Sequence, residues 1–381
     1  MRIGLVAGEA SGDQLGAGLI RALKSLDASL EFEGVAGAAM RDAGCVAWED
    51  SEALAVMGLI EPLKEIPRLF KLRRMLVERW TSSPPAVFVG IDSPDFNLGL
   101  ELALKSAGIP TVQYVGPSVW AWRQGRVHKV ARAVDRVLCL LPFEREFYDR
   151  YGIQAVFVGH PLADSIPAGL SRESARQQLG ISSERVVAVL PGSRKNEVSR
   201  LGPVFAAASR LLLERAADLT FVAPMASDAL RDIFISQLDE ARVSDRYRLL
   251  ERNARSAMAA ADVVLLASGT AALEAALIGR PVVAAYKLAP LTYGLARWLK
   301  LVKVRHFTLP NLLTSEALVP EFLQGEASAE ALCESVSELL NDPPRRADIE
   351  REFAKLRGKL ARGADRRAAN AVFELANAAD R

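Results

Sequence analysis

The chain opens with Ile3-Gly4-Leu5-Val6-Ala7, turns through Gly8-Glu9-Ala10-Ser11-Gly12-Asp13, and continues as an amphipathic stretch over residues 15–26. A short apolar run without polar alternation reads as a strand buried on both faces, as in a parallel sheet covered by helices. The amphipathic stretch supplies the first covering helix, and the glycines between let the backbone turn and approach a ligand closely.

The same unit recurs along the chain. Apolar runs at residues 86–91, 111–115, 136–141 and 156–158 read as further strands of the first half, and those at 186–190, 219–222, 263–266 and 281–286 as a second set. Helical patterns, such as 203–214 and 271–278, supply the crossovers. Two consecutive βαβ sets predict an α/β protein of two doubly wound, Rossmann-like domains facing across a cleft, with ligands beyond the carboxyl ends of the strands. The seam is expected in the Pro/Gly/Ser-bearing stretch 160–171, after Gly159-His160-Pro161. Residues 1–165 then form the first domain and 166–343 the second. The Arg/Ala-rich helical segment 344–381 is expected to cross back to the first domain or to a partner subunit, which leaves a homodimer open.

Composition narrows the function. A chain of 381 residues is long for one core. Its net charge of +2 argues against bulk nucleic-acid binding. Cys45, Cys139 and Cys333 form no CxxC pair, so neither a disulfide framework nor a zinc site is expected. No apolar run approaches the roughly 20 residues that span a bilayer. A strand that begins at the N-terminus leaves no room for a signal peptide, so a cytoplasmic protein is expected.

The loops after the strands carry the candidate chemistry. In residues 7–13, Glu9 ends the strand where a cleft is expected, Ser11 can meet a phosphate or the acceptor, and Asp13 has the alternative reading of an ordinary N-cap. In Gly90-Ile91-Asp92-Ser93-Pro94-Asp95-Phe96-Asn97, two carboxylates suit acid/base work, with Asp92 the candidate base and Asp95 the better placed for capping. An Asp-x-x-Asp metal reading lacks the supporting His or carboxylate cluster that a hard cation needs, so no metal and no other cofactor is expected. Gly116-Pro117-Ser118-Val119-Trp120-Ala121-Trp122-Arg123 offers aromatic faces for a sugar and, in Arg123, a cation for a phosphate; packing is the competing reading for Trp122.

The second half has two anion-binding turns. Gly192-Ser193-Arg194 stands at a strand–helix junction, where a glycine, a hydroxyl and a bidentate cation can hold a diphosphate and offset leaving-group charge. There is no GK[ST] of a Walker loop. Ser268-Gly269-Thr270 repeats the arrangement, with Glu274 one turn in as a ribose contact or simply a favourable charge near a helix N-terminus. Among the histidines, only His160 follows a strand near the seam.

Two basic amphipathic segments complete the reading. Residues 67–79 as a helix gather Leu69, Phe70, Leu72 and Leu76 on one side, with Arg68, Lys71 and Arg74 opposite. Residues 292–305 are similar. Both suit a helix lying on an anionic bilayer surface, and equally a helix packed on a sheet.

Together the motifs AGEASGD (7–13), AVMGLIE (55–61), VGIDSPDFN (89–97), PSVWAWR (117–123), LPFE (141–144), GHP (159–161), LPGSR (190–194), SGTAALE (268–274) and LPNLL (309–313) resemble, in this order and over nearly the whole chain, the lipid-A-disaccharide synthase family. These are inverting glycosyltransferases of the GT-B type. The resemblance implies transfer of 2,3-diacylglucosamine from UDP-2,3-diacylglucosamine to 2,3-diacylglucosamine 1-phosphate, with a β-1,6 linkage formed and UDP released. It implies Asp92 as general base, Glu9 as its helper, Arg194 as diphosphate ligand, Glu274 as ribose contact and Asn311 as part of the donor site. It also implies peripheral attachment to the inner face of the inner membrane. A UDP-sugar epimerase of the same architecture and a nucleotide-binding membrane adaptor are the rival readings.

Overall fold

The computed structural model describes residues 1–54, 61–120, 124–167, 170–288 and 306–379, with the backbone alone at 61–65 and 124. The segments 55–60 and 292–305, together with Trp122 and Arg123, lie outside the described residues.

The chain divides into two compact units, Met1–Asp164 with Lys359–Arg381, and Ser165–Gly358. The first holds a parallel sheet of β1 (Arg2–Ala7), β2 (Glu31–Val35), β3 (Cys45–Glu49), β4 (Val87–Ile91), β5 (Thr111–Tyr114), β6 (Arg136–Cys139) and β7 (Ala155–Phe157), in the order β3-β2-β1-β4-β5-β6-β7. The second holds β8 (Arg185–Leu190), β9 (Leu219–Met225), β10 (Tyr247–Glu251), β11 (Val263–Ala267), β12 (Val282–Tyr286) and β13 (Glu321–Leu323), ordered β10-β9-β8-β11-β12-β13. Both sheets are doubly wound, so the order reverses beside the first strand of each, which is where such folds bind ligands.

The helices of the first unit are α1 (Glu9–Leu26), α2 (Ala38–Asp42), α3 (Glu61–Ser82), α4 (Pro94–Ser106), α5 (Val127–Ala133), α6 (Pro142–Asp149) and α7 (Pro161–Ser165, whose last residue opens the second unit). The second unit adds α8 (Arg172–Leu179), α9 (Lys195–Arg215), α10 (Asp228–Glu240), α11 (Ala254–Ala260) and α12 (Thr270–Ile278). The C-terminal segment is not a separate body. Helix Pro343–Leu360 belongs to the second unit as far as Gly358. Helix Ala364–Ala379 buries Ala368, Ala369, Val372 and Ala376 in the first unit's core beside Leu19 and Leu23 of α1.

Helix α3 corrects the bilayer reading of its apolar side. Leu72 and Leu76 are 7% and 0% exposed, packed with Trp80, Phe88, Phe96 and Leu100, and Leu69 leans on the same cluster. The face of the sheet over β1 and β4 needs a cover, and these leucines supply it. Phe70 is 61% exposed and Ile66 39%, so the apolar surface that remains in solvent is smaller and differently composed than the periodicity suggests. No helix among the described residues is long and apolar enough to cross a membrane.

Candidate functional site

At the carboxyl ends of β1 and β4, adjacent strands in register at Ala7 and Ile91, the two connecting loops touch. A Cβ on Gly8 would fall 2.0 Å from the Ser93 hydroxyl oxygen, so only glycine allows this approach. Glu9 begins α1 with φ +63°, and Asp92 and Ser93 follow β4 with φ +54° and +41°. Three non-glycine residues in the left-handed region within two neighbouring loops are a concentration of backbone strain of the kind found at functional sites.

Asp92 is half-buried. Desolvation raises its carboxyl above the usual carboxylate range, the Ser93 backbone N–H opposes the shift, and the charge of Glu9 raises it further. A carboxylate made more basic by burial and by a like charge is suited to accept a proton. Its backbone is tied on both sides: the Asp92 N–H donates to the Tyr114 carbonyl at 2.9 Å, and the Asp92 carbonyl accepts from the side-chain amides of Asn97 and Gln113.

The other residues of these loops divide between chemistry and scaffolding. Ser11 is exposed on the first turn of α1. Asp13 does not cap its own helix. It is buried and accepts from the backbone N–H groups of Gly37, Ala39 and Met40 at 2.9, 2.9 and 3.1 Å, so it closes the N-terminus of α2. Asp95 lies inside the first turn of α4, after Pro94, and pairs with Arg126, so it too is not the N-cap.

In the aromatic loop, the Trp120 indole N–H donates to Glu144 at 3.1 Å and the ring meets Phe143 edge-on at 4.8 Å. Burial pushes the Glu144 carboxyl up to about 7, opposed by the Leu141 N–H, the Trp120 indole and the Leu140 N–H. His160 is a helix cap: its Nδ1 accepts from the Leu162 N–H at 3.2 Å, and burial pulls the imidazole down to about 4 against the opposing charge of Asp164.

In the second unit, the carboxyl ends of the strands enclose a cavity of about 760 Å³. Gly192, Ser193 and Arg194 form one wall and Ser268, Gly269 and Thr270 another. Gly192 has φ +133°, and a Cβ there would overlap Glu197 at 2.4 Å. Glu197 accepts from the N–H groups of Ser193 and Arg194 at 2.9 and 3.2 Å, which fixes the turn at the start of α9. The Arg194 side chain is 56% exposed, with a 3.6 Å contact to Glu197. Gly269 precedes α12 with no side-chain cap, leaving the positive end of that helix to an anion.

Two expected donor contacts lie elsewhere. Glu274 accepts from Arg255 at 2.7 Å and does not line the cavity. The guanidinium in turn reaches the Ser165 hydroxyl, so a ribose contact would require this pair to open. Asn311 is 5% exposed, donates to the Val319 carbonyl and accepts from the N–H groups of Leu318 and Val319, all at 2.8–2.9 Å. Its amide shapes the 311–319 turn instead of facing the cavity. Conversely, Met225, Arg252, Tyr286 and Phe307 line the cavity and were missed from the sequence. Arg252 carries φ +54° at the end of β10, a strand the apolar pattern does not show. Tyr286 closes a strand that the pattern does show, so an aromatic at a carboxyl end was the available signal. No group of three or more His, Cys, Asp or Glu side chains suited to a metal ion occurs among the described residues.

A family model described as lipid-A-disaccharide synthetase matches residues 3–372. The lipid-A-disaccharide synthase of Alkalilimnicola ehrlichii is 51% identical over 379 residues, covering 99% of each chain. Among solved structures, UDP-GlcNAc 2-epimerase from Neisseria meningitidis bound to UDP-GlcNAc is similar at TM-score 0.62 and 14% identity, covering 98% of this chain and 99% of that one. The glycotransferase of kitacinnamycin is similar at TM-score 0.64 and 16% identity, covering 98% of both. At these identities the structures speak for the two-domain GT-B fold alone.

Proposed function

The chain belongs to the lipid-A-disaccharide synthase family and is a glycosyltransferase, and from that premise we propose the residues that carry the reaction. The transfer moves 2,3-diacylglucosamine from UDP-2,3-diacylglucosamine to 2,3-diacylglucosamine 1-phosphate, forming a β-1,6 bond with inversion. Asp92 takes the proton of the acceptor hydroxyl as its oxygen bonds to C1 of the donor sugar, from the face opposite the diphosphate. The C1–O bond to UDP breaks, and its electron pair leaves on the diphosphate.

The observation that carries this reading is Asp92 itself: half-buried, held in a left-handed turn at a strand's carboxyl end, and made more basic by burial and by Glu9. Glu9 acts through its charge on Asp92. Arg194, free to reorient, binds the diphosphate and stabilises the negative charge that grows on it, aided by the turns 192–194 and 268–270. Ser11, Trp122 and Arg123 fall to the acceptor and its phosphate.

Acylated substrates reside in a bilayer, and exposed Ile66 and Phe70 beside Arg68, Lys71 and Arg74 support peripheral attachment of α3 to an anionic membrane surface. The inner face of the inner membrane is the location this implies. Incubating the purified chain with both lipids, and recording product masses, tests the assignment. A disaccharide 1-phosphate with stoichiometric UDP is expected. An epimerised monosaccharide with the acceptor unconsumed would overturn it.

A further inference from the structure

The strained turn at Asp92 is held from beneath by two amides that contact no solvent. Asn97, in the first turn of α4, and Gln113, in the middle of β5, are each 0% exposed. The Asn97 Nδ2 donates to the Asp92 carbonyl at 2.9 Å, and the Gln113 Nε2 donates to the same oxygen at 3.1 Å. Gln113 also spans the Tyr114 and Val115 carbonyls at 3.3 and 3.2 Å, while Asn97 makes longer contacts, at 3.4 Å, to those of Val6 and Ile91. The carboxyl ends of three neighbouring strands are thereby tied to one main-chain oxygen.

This arrangement is a poor way to stabilise a core. The Asn97 Oδ1 and Gln113 Oε1 are buried without a hydrogen-bond partner among the described residues. A buried acceptor left unpaired costs stability, a cost that a core shaped for folding alone would avoid. Nearby, a Cβ on Gly90 would lie 2.4 Å from Glu101 Oε1 and 2.9 Å from Asn97 Cβ, so a glycine directly before the turn makes room for both side chains. Burial holds the Glu101 carboxyl well above the usual range, against the charge of Lys129, which disfavours a negative charge beneath Asp92.

We propose that Asn97 and Gln113 are positioning residues that fix the left-handed turn at Asp92 and so aim its carboxylate at the acceptor hydroxyl. The proposal rests on the reading of Asp92 as general base. The amides never touch substrate; they act through the Asp92 backbone.

The test compares Gln113→Met and Asn97→Leu, which keep the buried volume and delete the donors, singly and in an Asp92→Asn background. In otherwise intact enzyme, kcat is expected to fall by about 10–100-fold, the cost of a small misplacement of a reacting group. KM for each lipid, UDP affinity and melting temperature should stay close to the parent's. In the Asp92→Asn background, the same changes should cost nothing further, since residues acting as one unit are not additive. Unchanged kcat in both single variants, or losses that multiply with Asp92→Asn, would overturn the proposal. Full turnover by Asp92→Asn alone would instead overturn the base assignment on which it stands, a distinct result. If one variant fails to fold, the other carries the comparison.

Discussion

Arg73 of α3 lies over the ring of Phe96 at the start of α4, 5.1 Å from its guanidinium carbon to the ring centroid. The same guanidinium sits 5.4 Å from the ring of Phe70, and a Cβ on Gly99 would fall 2.7 Å from its Nη1. The helix proposed to meet the membrane is therefore packed directly onto the helix that begins three residues after Ile91, in the loop of the proposed base. One face of α3 belongs to the fold and another to the solvent, and substitutions should separate them.

Ile66→Ser with Phe70→Ser is expected to weaken binding to anionic vesicles by about tenfold or more, since each inserted apolar side chain contributes about 1.5–3 kcal/mol. Melting temperature should barely move. Leu76→Ala is expected to cost about 2–5 kcal/mol of stability, because it opens a cavity against Trp80 and Phe88. Vesicle sedimentation and thermal melts measure the two effects. Undiminished sedimentation of the Ile66/Phe70 variant would remove α3 from the membrane.

The raised carboxyl of Asp92 sets a pH limb. Turnover should fall as pH drops through a value above the ordinary aspartate range of about 3.9, because the protonated acid cannot serve as a base. Glu9→Gln removes a like charge and should shift that limb to lower pH. Asp92→Asn should abolish it, with a loss of about 10²–10⁴-fold in turnover and UDP binding retained. A limb in Glu9→Gln that stays in place would show that the two carboxylates do not interact in the working enzyme.

Arg194 carries the leaving-group charge in this scheme. Arg194→Ala should lower kcat/KM for the donor by roughly 10²-fold or more and weaken UDP binding, with Arg194→Lys recovering only part, since an ammonium cannot bind two phosphate oxygens in one plane. Calorimetric titration with UDP reads the binding part. The same logic expects turnover to be insensitive to chelator. Loss on chelation that magnesium restores would transfer the role to a cation.

Glu144 makes stability itself depend on pH. Its carboxyl titrates near 4.5 in an unfolded chain and is pushed up to about 7 in the fold. The folded state therefore binds the proton more tightly, and the stability this contributes is present below pH of about 4.5 and lost as pH rises through about 7. A shift of that size corresponds to roughly 3 kcal/mol at most. Glu144→Gln should flatten the fall in melting temperature over this window. An unaltered slope would place the titration elsewhere.

The central strands were legible because they are apolar on both faces: β1, β4, β8, β11 and β12 all appear as uninterrupted runs. Strands β2, β3, β10 and β13 were not, for one reason. Each lies at or near a sheet edge, where exposed positions admit Glu31, Glu49 and Arg248 and half-buried ones Glu33 and Glu321. Missing β10 also hid Arg252 behind it. The Asp92 and Arg194 loops could be read because loops after buried strands are where such folds place ligands. The roles of Asp13, Glu274 and Asn311 could not, because a carboxylate or amide spent on a distant N–H or guanidinium looks, in one dimension, like one held free for a substrate. The leucines of α3 show the same limit: periodicity marks an apolar side without saying whether protein or lipid covers it.

Asp13 and Glu9 stand four residues apart in one conspicuous motif, yet Asp13 spends its carboxylate wholly on α2. A mutagenesis screen scored by growth would register changes at both, at Glu9 through the altered basicity of Asp92 that we propose and at Asp13 through lost protein. Only yield of folded material would tell them apart, so an inhibitor programme guided by such a screen would spend half its effort on a rivet.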